Sequence, residues 1–225
     1  MSINNDELYS PGSLLKVPEL IAFYKMNENQ PGYLDKEILY DKNINNSGRV
    51  LSFESKHIQV GKKYKIRDLL YYMIAYSDND ATMVLNSIID KNIFSRVFTD
   101  VGLKAPDYGS NDYPMTARAY SIFFKELYNA SYLNFESSEA CLKLLSETDF
   151  DKGLLSGLPA GCKSSHKFGE GGKNNAPNFS ESAIVYCGRS PYILTVMLKG
   201  NDMKSLPEVS KEISRKVYEI MSGQS

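Results

Sequence analysis

No apolar stretch in this chain approaches 18 residues, and residues 1–7 lack the charge-then-apolar layout of a secretion signal, so no membrane-spanning helix is expected in the sequence as it stands. No run of like charges exceeds a few residues, and 26 Lys and Arg stand against 27 Asp and Glu for a formal net charge of −1. A balance of that kind excludes the basic face of a nucleic-acid or anionic-membrane binder. Histidine is scarce, with only His57 and His166, which makes a histidine-based metal cluster improbable and leaves no metal or organic cofactor to expect. The cysteines Cys141, Cys162 and Cys187 are odd in number and show no paired spacing, so buried thiols are expected in preference to a disulfide or a zinc site. There is no Gly-x-Ser-x-Gly elbow, so a Ser-His-Asp triad would have to recruit His166 as its base. That imidazole reads better as a structural or substrate-lining group beside Lys167.

What the chain does have is three short elements in order: Ser13-Leu14-Leu15-Lys16, Ser77-Asp78-Asn79 and Lys167-Phe168-Gly169. Each alone is weak. Together they point to a serine that attacks an amide carbonyl with a lysine as proton acceptor. Ser three before Lys recurs at Ser164 and Lys167, and local geometry separates the two copies. Ser13 precedes Leu14, Leu15, Val17, Leu20, Ile21 and Phe23, whose recurrence near 3.6 residues predicts a helix. Positions i and i+3 then share a face, and the Ser13 hydroxyl and Lys16 amine come within reach. A helix beginning at Ser13 also aims its backbone N–H and the positive end of the dipole at a forming oxyanion. The Ser164 copy reads as extended, where i and i+3 point to opposite faces.

A lysine that takes a proton at neutral pH must be partly neutral, which burial and nearby positive charge favour; Lys167 supplies such a charge. Ser77 between the two lysines would relay a proton to the leaving nitrogen, and the Asn79 amide would hold a substrate carbonyl or the lysine itself. The same Ser-Asp-Asn-Asp tetrad reads equally as a turn and helix N-cap before residues 81–85, and the two readings are compatible. Residues 169–173, Gly-Glu-Gly-Gly-Lys, lack the spacing of a phosphate loop and read as a flexible turn.

At 225 residues one substantial core is expected, in one catalytic domain spanning 1–225 with two lobes around a cleft. Residues 49–66 alternate weakly and suggest short extended pieces. Helical periodicity covers 66–76, 81–90, 93–101, 116–130 and 137–147, giving a helical lobe over about 66–150. Its aromatic stripe, Tyr120, Phe123, Phe124, Leu127 and Tyr128, is expected in the core. Strands follow at 163–169, 182–188 and 192–199, the last two joined as a hairpin, and an amphipathic helix over 206–221 places Val209, Ile213, Val217 and Ile220 on one face. Sheet and final helix occupy about 160–222. The class is α/β, an antiparallel sheet flanked by a helical lobe.

The three motifs, with their flanks Tyr9-Ser10-Pro11-Gly12 and His166, resemble the penicillin-recognising serine hydrolases, most closely the class A β-lactamase-like branch. The resemblance implies an acyl-transfer enzyme with Ser13 as nucleophile, Lys16 as general base, Ser77 as relay and Lys167 as electrostatic support. It places oxyanion donors at the backbone N–H groups of Ser13 and Glu170, and a substrate-binding side at Asn79, Phe168, Gly169 and Glu170. The implied ligand is a β-lactam or a D-alanyl stem peptide of peptidoglycan. Two departures stand out. The hydroxyl residue that usually follows the third motif's lysine is replaced by Phe168, which cannot bind a carboxylate. Between Gly102 and Thr116 no glutamate positions a deacylating water, and Asp107 or Asp112 would have to substitute although both read as solvated. These departures favour a rival reading: a non-turnover penicillin or cell-wall-peptide sensor, or a degenerate homologue, in place of an antibiotic-resistance enzyme. The family also places a helix and two strands before the nucleophile, while twelve residues precede Ser13 here. A longer precursor is one expectation, with extracytoplasmic location; an exposed edge at 192–198 that self-associates is another.

Overall fold

The structure, a computed structural model, describes residues 2–4, 6–41, 55–107, 113–173 and 176–223. A 3-10 turn, Gly12–Leu15, passes directly into α1, Lys16–Asn29. Every side chain of α1 from Lys16 through Phe23 is buried, as befits a helix apolar on most sides that forms the middle of a core. Around it pack α2 (Ile66–Ala75), α4 (Lys91–Thr99) and α6 (Phe135–Ser146), while α3 (Asn79–Ile88) packs on α2. With α5 (Ala117–Asn129) these match the expected helices to within a few residues. Side-chain caps explain where four of them start: Asp78, Asp90, Thr116 and Asn134 each accept from backbone N–H groups of the first turn.

A strand not expected from the sequence, β1 (Glu37–Tyr40), pairs antiparallel with β2 (Lys62–Lys65). The extended pieces expected over 49–54 lie outside the described residues. The main sheet is antiparallel in the order β3 (Ser164–Lys173), β4 (Ala176–Val185), β5 (Tyr192–Lys199). Residues 169–173 are not a flexible turn; they are the second half of β3, with Glu170 opposite Phe179 and Gly171 opposite Asn178. The glycines are there for close approach. A Cβ on Gly169 would stand 2.3 Å from Pro11 O, and one on Gly171 2.9 Å from Ser10 Oγ. Glycine lets β3 run against the segment that carries the nucleophile.

The expectation of free thiols at Cys162 and Cys187 is overturned, since they form a disulfide with Cα atoms 5.5 Å apart. Its cause is the register: Ser164 faces Val185, and two residues further out on each side Cys162 meets Cys187. Cys141 stays a buried thiol.

The final helix, α7 (Leu206–Ser222), buries a face that only partly coincides with the one expected: Ile213 packs against the Leu154, Ala183, Val185 and Val196 cluster and Val217 is half-buried. Val209 and Ile220 are 46% and 55% exposed, whereas Leu206, Ser210 and Ser214 are buried. The 3-10 turn Leu155–Gly157 presses on α7 so closely that a Cβ on Gly157 would stand 2.2 Å from Lys211 O, and only small side chains fit beneath. In the aromatic stripe Tyr120, Phe123, Phe124 and Leu127 are core, but Tyr128 is exposed.

Candidate active site

The site is assembled from three ends: the turn before α1, the turn before α3, and the middle of β3. Gly12 has φ +53°, and a Cβ there would meet Glu170 O at 2.1 Å, so the Pro11-Gly12 backbone lies flat against Gly169-Glu170. That contact sets Ser13 beside the strand. A Cβ built on Gly169 would stand 3.0 Å from Ser13 N, and one on Gly12 3.2 Å from Glu170 N, so both backbone groups named as oxyanion donors come to the same junction.

Lys16 is 4% exposed, and its Nζ donates to Ser77 O at 2.6 Å, Ser77 Oγ at 3.2 Å and Asn79 Oδ1 at 2.9 Å. Lys167 is fully buried and reaches the same hydroxyl, Nζ to Ser77 Oγ at 3.0 Å. Ser77 therefore does stand between the two lysines. It has φ +53°, a left-handed conformation that a serine adopts at some cost and that local contacts must hold. Asp78 supplies those contacts. Fully buried, it accepts from Ile58 N at 2.8 Å, from Asp80 N at 3.0 Å, and bonds His57 Nδ1 at 3.1 Å. From the other side Ser55 Oγ donates to Tyr76 O at 2.7 Å. Residues 55–58 thus brace both neighbours of Ser77. Neither Asp78 nor this brace was singled out in the sequence; the N-cap pattern of the tetrad was the one available signal.

Ser13 lies in the 3-10 turn and the α-helix expected to begin there begins at Lys16; among the described residues the lysine's three hydrogen bonds go to Ser77 and Asn79, and none to Ser13. The backbone oxygen of Ser77 at 2.6 Å outcompetes the serine hydroxyl. Burial lowers the Lys16 amine to about 8, against the charges of Glu19 and Asp78, which raise it. Lys167 is pushed well below its usual range, by burial first and then by Lys16. Both lysines are thereby biased toward the neutral amine that can accept a proton.

Phe168 departs from its expected place on the substrate side. It is fully buried, stacked on Phe150 with ring centroids 4.0 Å apart, in a cluster with Phe179 and Leu206. Its ring presents no surface to a ligand; Lys167 Nζ lies 4.1 Å from its centroid, a cation–π contact in a desolvated place. His166 is 1% exposed and burial takes its imidazole down to about 3, so it stays neutral and is no catalytic base at neutral pH. Asp107 is exposed on its loop, and Asp112 lies outside the described residues. A separate groove of about 750 Å³, lined by Tyr128, Glu139, Leu142, Ser164 and Tyr186, opens at the other end of β3; Ser13, Lys16 and Ser77 do not line it.

A sequence profile described as "Beta-lactamase enzyme family" matches residues 1–221. Among solved structures, the TLA-3 extended-spectrum β-lactamase superposes with a TM-score of 0.84 at 16% identity, covering 98% of this chain and 87% of that one. A β-lactamase from Francisella tularensis gives 0.81 at 18% identity, covering 100% and 90%. A mutant of PBP-A, described as an acyl-enzyme complex with penicillin G, gives 0.81 at 19% identity, covering 99% and 85%. No curated protein matches the chain.

Proposed function

This chain belongs to the beta-lactamase enzyme family, and on that premise we propose that it is a serine acyl-transfer hydrolase acting on β-lactam or D-alanyl-peptide amide bonds through an acyl-enzyme on Ser13. The observation that carries the reading is the Ser77 hydroxyl held at 3.2 Å from one buried lysine and 3.0 Å from another. Ser13 Oγ attacks the carbonyl carbon as its proton passes to the neutral Lys16 amine. The carbonyl oxygen gathers the negative charge and is met by the Ser13 and Glu170 N–H groups. As the C–N bond breaks, the leaving nitrogen takes a proton from Ser77, which is resupplied by Lys16. Lys167 holds the Ser77 hydroxyl from the side opposite Lys16 and, in its protonated form, adds positive charge beside the relay; Asn79, Gly169 and Glu170 flank the substrate.

One observation favours a second reading, in which the acyl-enzyme forms and persists. The Phe168 position offers no hydroxyl to a substrate carboxylate and Asp107 faces solvent, so among the described residues neither departure from the family pattern is repaired by these groups. A sensor or binding domain for penicillins or cell-wall peptide would need no more. In either reading the Cys162–Cys187 disulfide supports an extracytoplasmic location, where such bonds persist.

The test is intact mass and hydrolysis on incubation with penicillin G. The parent gains the mass of one penicillin or hydrolyses it, and Ser13→Ala does neither; a parent that neither gains mass nor hydrolyses penicillin overturns the proposal.

A further inference from the structure

Glu19 is a carboxyl in a helix turn where its neighbours are all buried. It is 9% exposed, three residues after Lys16 on α1, and residues so spaced lie side by side on one helix face. Asn86 of α3 bonds the carboxyl, yet Oε2 is buried with no hydrogen-bond partner. A lone buried carboxylate would be very unfavourable, and Lys16, one turn back on the same face, is the cation whose charge acts on it. The other charged groups acting on the two lysines are Asp78 before α3, facing Lys16, and Glu181 of β4 and Glu170 of β3, facing Lys167, which in turn bears on Lys16.

Taking Lys16 as the base of the proposed reaction, we propose that Glu19 is a positioning residue that sets its basicity. The Glu19 carboxylate is the counter-ion that keeps a lysine, desolvated and set against a second lysine, basic enough to take the Ser13 proton. Burial pulls the lysine down to about 8 and pushes the carboxyl up to about 7, each opposed by the charge of the other. A base is most effective when its affinity for protons lies near the working pH. Without Glu19 the lysine falls further below that point, and is neutral but feeble. Glu19 itself lies among the buried side chains of the first turn of α1 and acts on the reaction through Lys16.

Lys16 is read directly by the pH titration of its ¹³Cε resonance, in the parent, Glu19→Gln and Glu19→Asp. The midpoint moves to lower pH in Glu19→Gln and is partly restored in Glu19→Asp; the acid limb of the penicillin acylation profile moves with it, and the plateau falls several-fold. A Lys16 midpoint that is unmoved or raised in a folded Glu19→Gln overturns the inference. If Glu19→Gln does not fold, the parent still decides, because ¹³C-labelled Glu19 and Lys16 must each show an inflection at the other's midpoint; a single independent step for Lys16 overturns it. The titrations need no substrate, so failure here is distinguishable from failure of the acyl-enzyme reading.

Discussion

Lys16 and Lys167 donate to one and the same oxygen, Ser77 Oγ, at 3.2 and 3.0 Å. A hydroxyl has two acceptor lone pairs and one proton, so two lysine donors fill both lone pairs and leave the O–H as a donor for a third partner. Ser77 is thus oriented as a donor before any substrate arrives, which is what a relay to a leaving nitrogen requires.

Lys16→Ala therefore lowers the acylation rate by about 10²–10⁴, the usual range for loss of a general base, and Ser77→Ala falls in the same range. Because both stand on one proton path, the double variant is little slower than the slower single one. Stopped-flow acylation by a chromogenic cephalosporin measures all three. Acylation of Lys16→Ala at the parent's rate would assign the base to another group.

Phe168→Thr would restore the family's hydroxyl, but the ring fills a sealed cluster with Phe150, Phe179 and Leu206. Removing it leaves a cavity, and truncations of this size lose about 3–5 kcal/mol. The expected outcome is a lower midpoint of thermal unfolding with no gain in penicillin acylation. A stable variant that acylates faster would mean that the side chain at this position does reach the substrate.

Glu181 is fully buried, with Leu154 N and Ser210 Oγ on one oxygen, and burial raises its carboxyl to about 8 from an ordinary 4.5. A group with a higher proton affinity folded than unfolded contributes stability that is whole below the unfolded value and lost as pH rises through the folded one. The stability of Glu181→Gln relative to the parent should therefore grow between about pH 4.5 and 8. The buried titrating groups that do not face Glu181 cancel in that difference, leaving Lys167 as the one whose charge acts on it. Thermal unfolding at a series of pH values checks it, and a difference independent of pH would contradict it.

The helices were legible because their apolar spacing and caps are local, and the three motifs were legible because each is a short string. What the sequence left obscure depends on partners distant along the chain. The Cys162–Cys187 bond follows from a hairpin register, and residues 169–173 look like a turn until Pro11 and Ser10 are seen to require glycine opposite them. The buried face of α7 is not legible from hydrophobicity alone, because close packing against Gly157 requires a small residue at Ser214 and the buried Glu181 carboxyl takes the Ser210 hydroxyl. At the site, Ser13, Lys16, Ser77 and Lys167 were visible as residue types, but Phe168 was placed by motif position, while strand alternation and the Phe150 ring decide where it points.

Among the described residues no strand pairs with the outer edge of β5, whose sequence Tyr-Ile-Leu-Thr-Val-Met-Leu carries no charge or proline before Lys199. Such an edge is an open template for another strand. Sedimentation velocity over a micromolar to millimolar series should show concentration-dependent association. A single monomeric boundary throughout would show that the edge is protected.

The central proposal is that Ser13 forms an ester with penicillin, and the second reading adds that this site hydrolyses it slowly. Its most direct test is a time course of intact mass with excess penicillin G, run beside a hydrolysis assay on the same sample. The account predicts an adduct of one penicillin on Ser13 that accumulates and persists while bulk hydrolysis stays slow. Neither adduct nor hydrolysis would contradict the ester itself; rapid hydrolysis with no detectable adduct would contradict its slow hydrolysis, and would direct the search for a water-activating base to Asp107, Asp112 and Glu170.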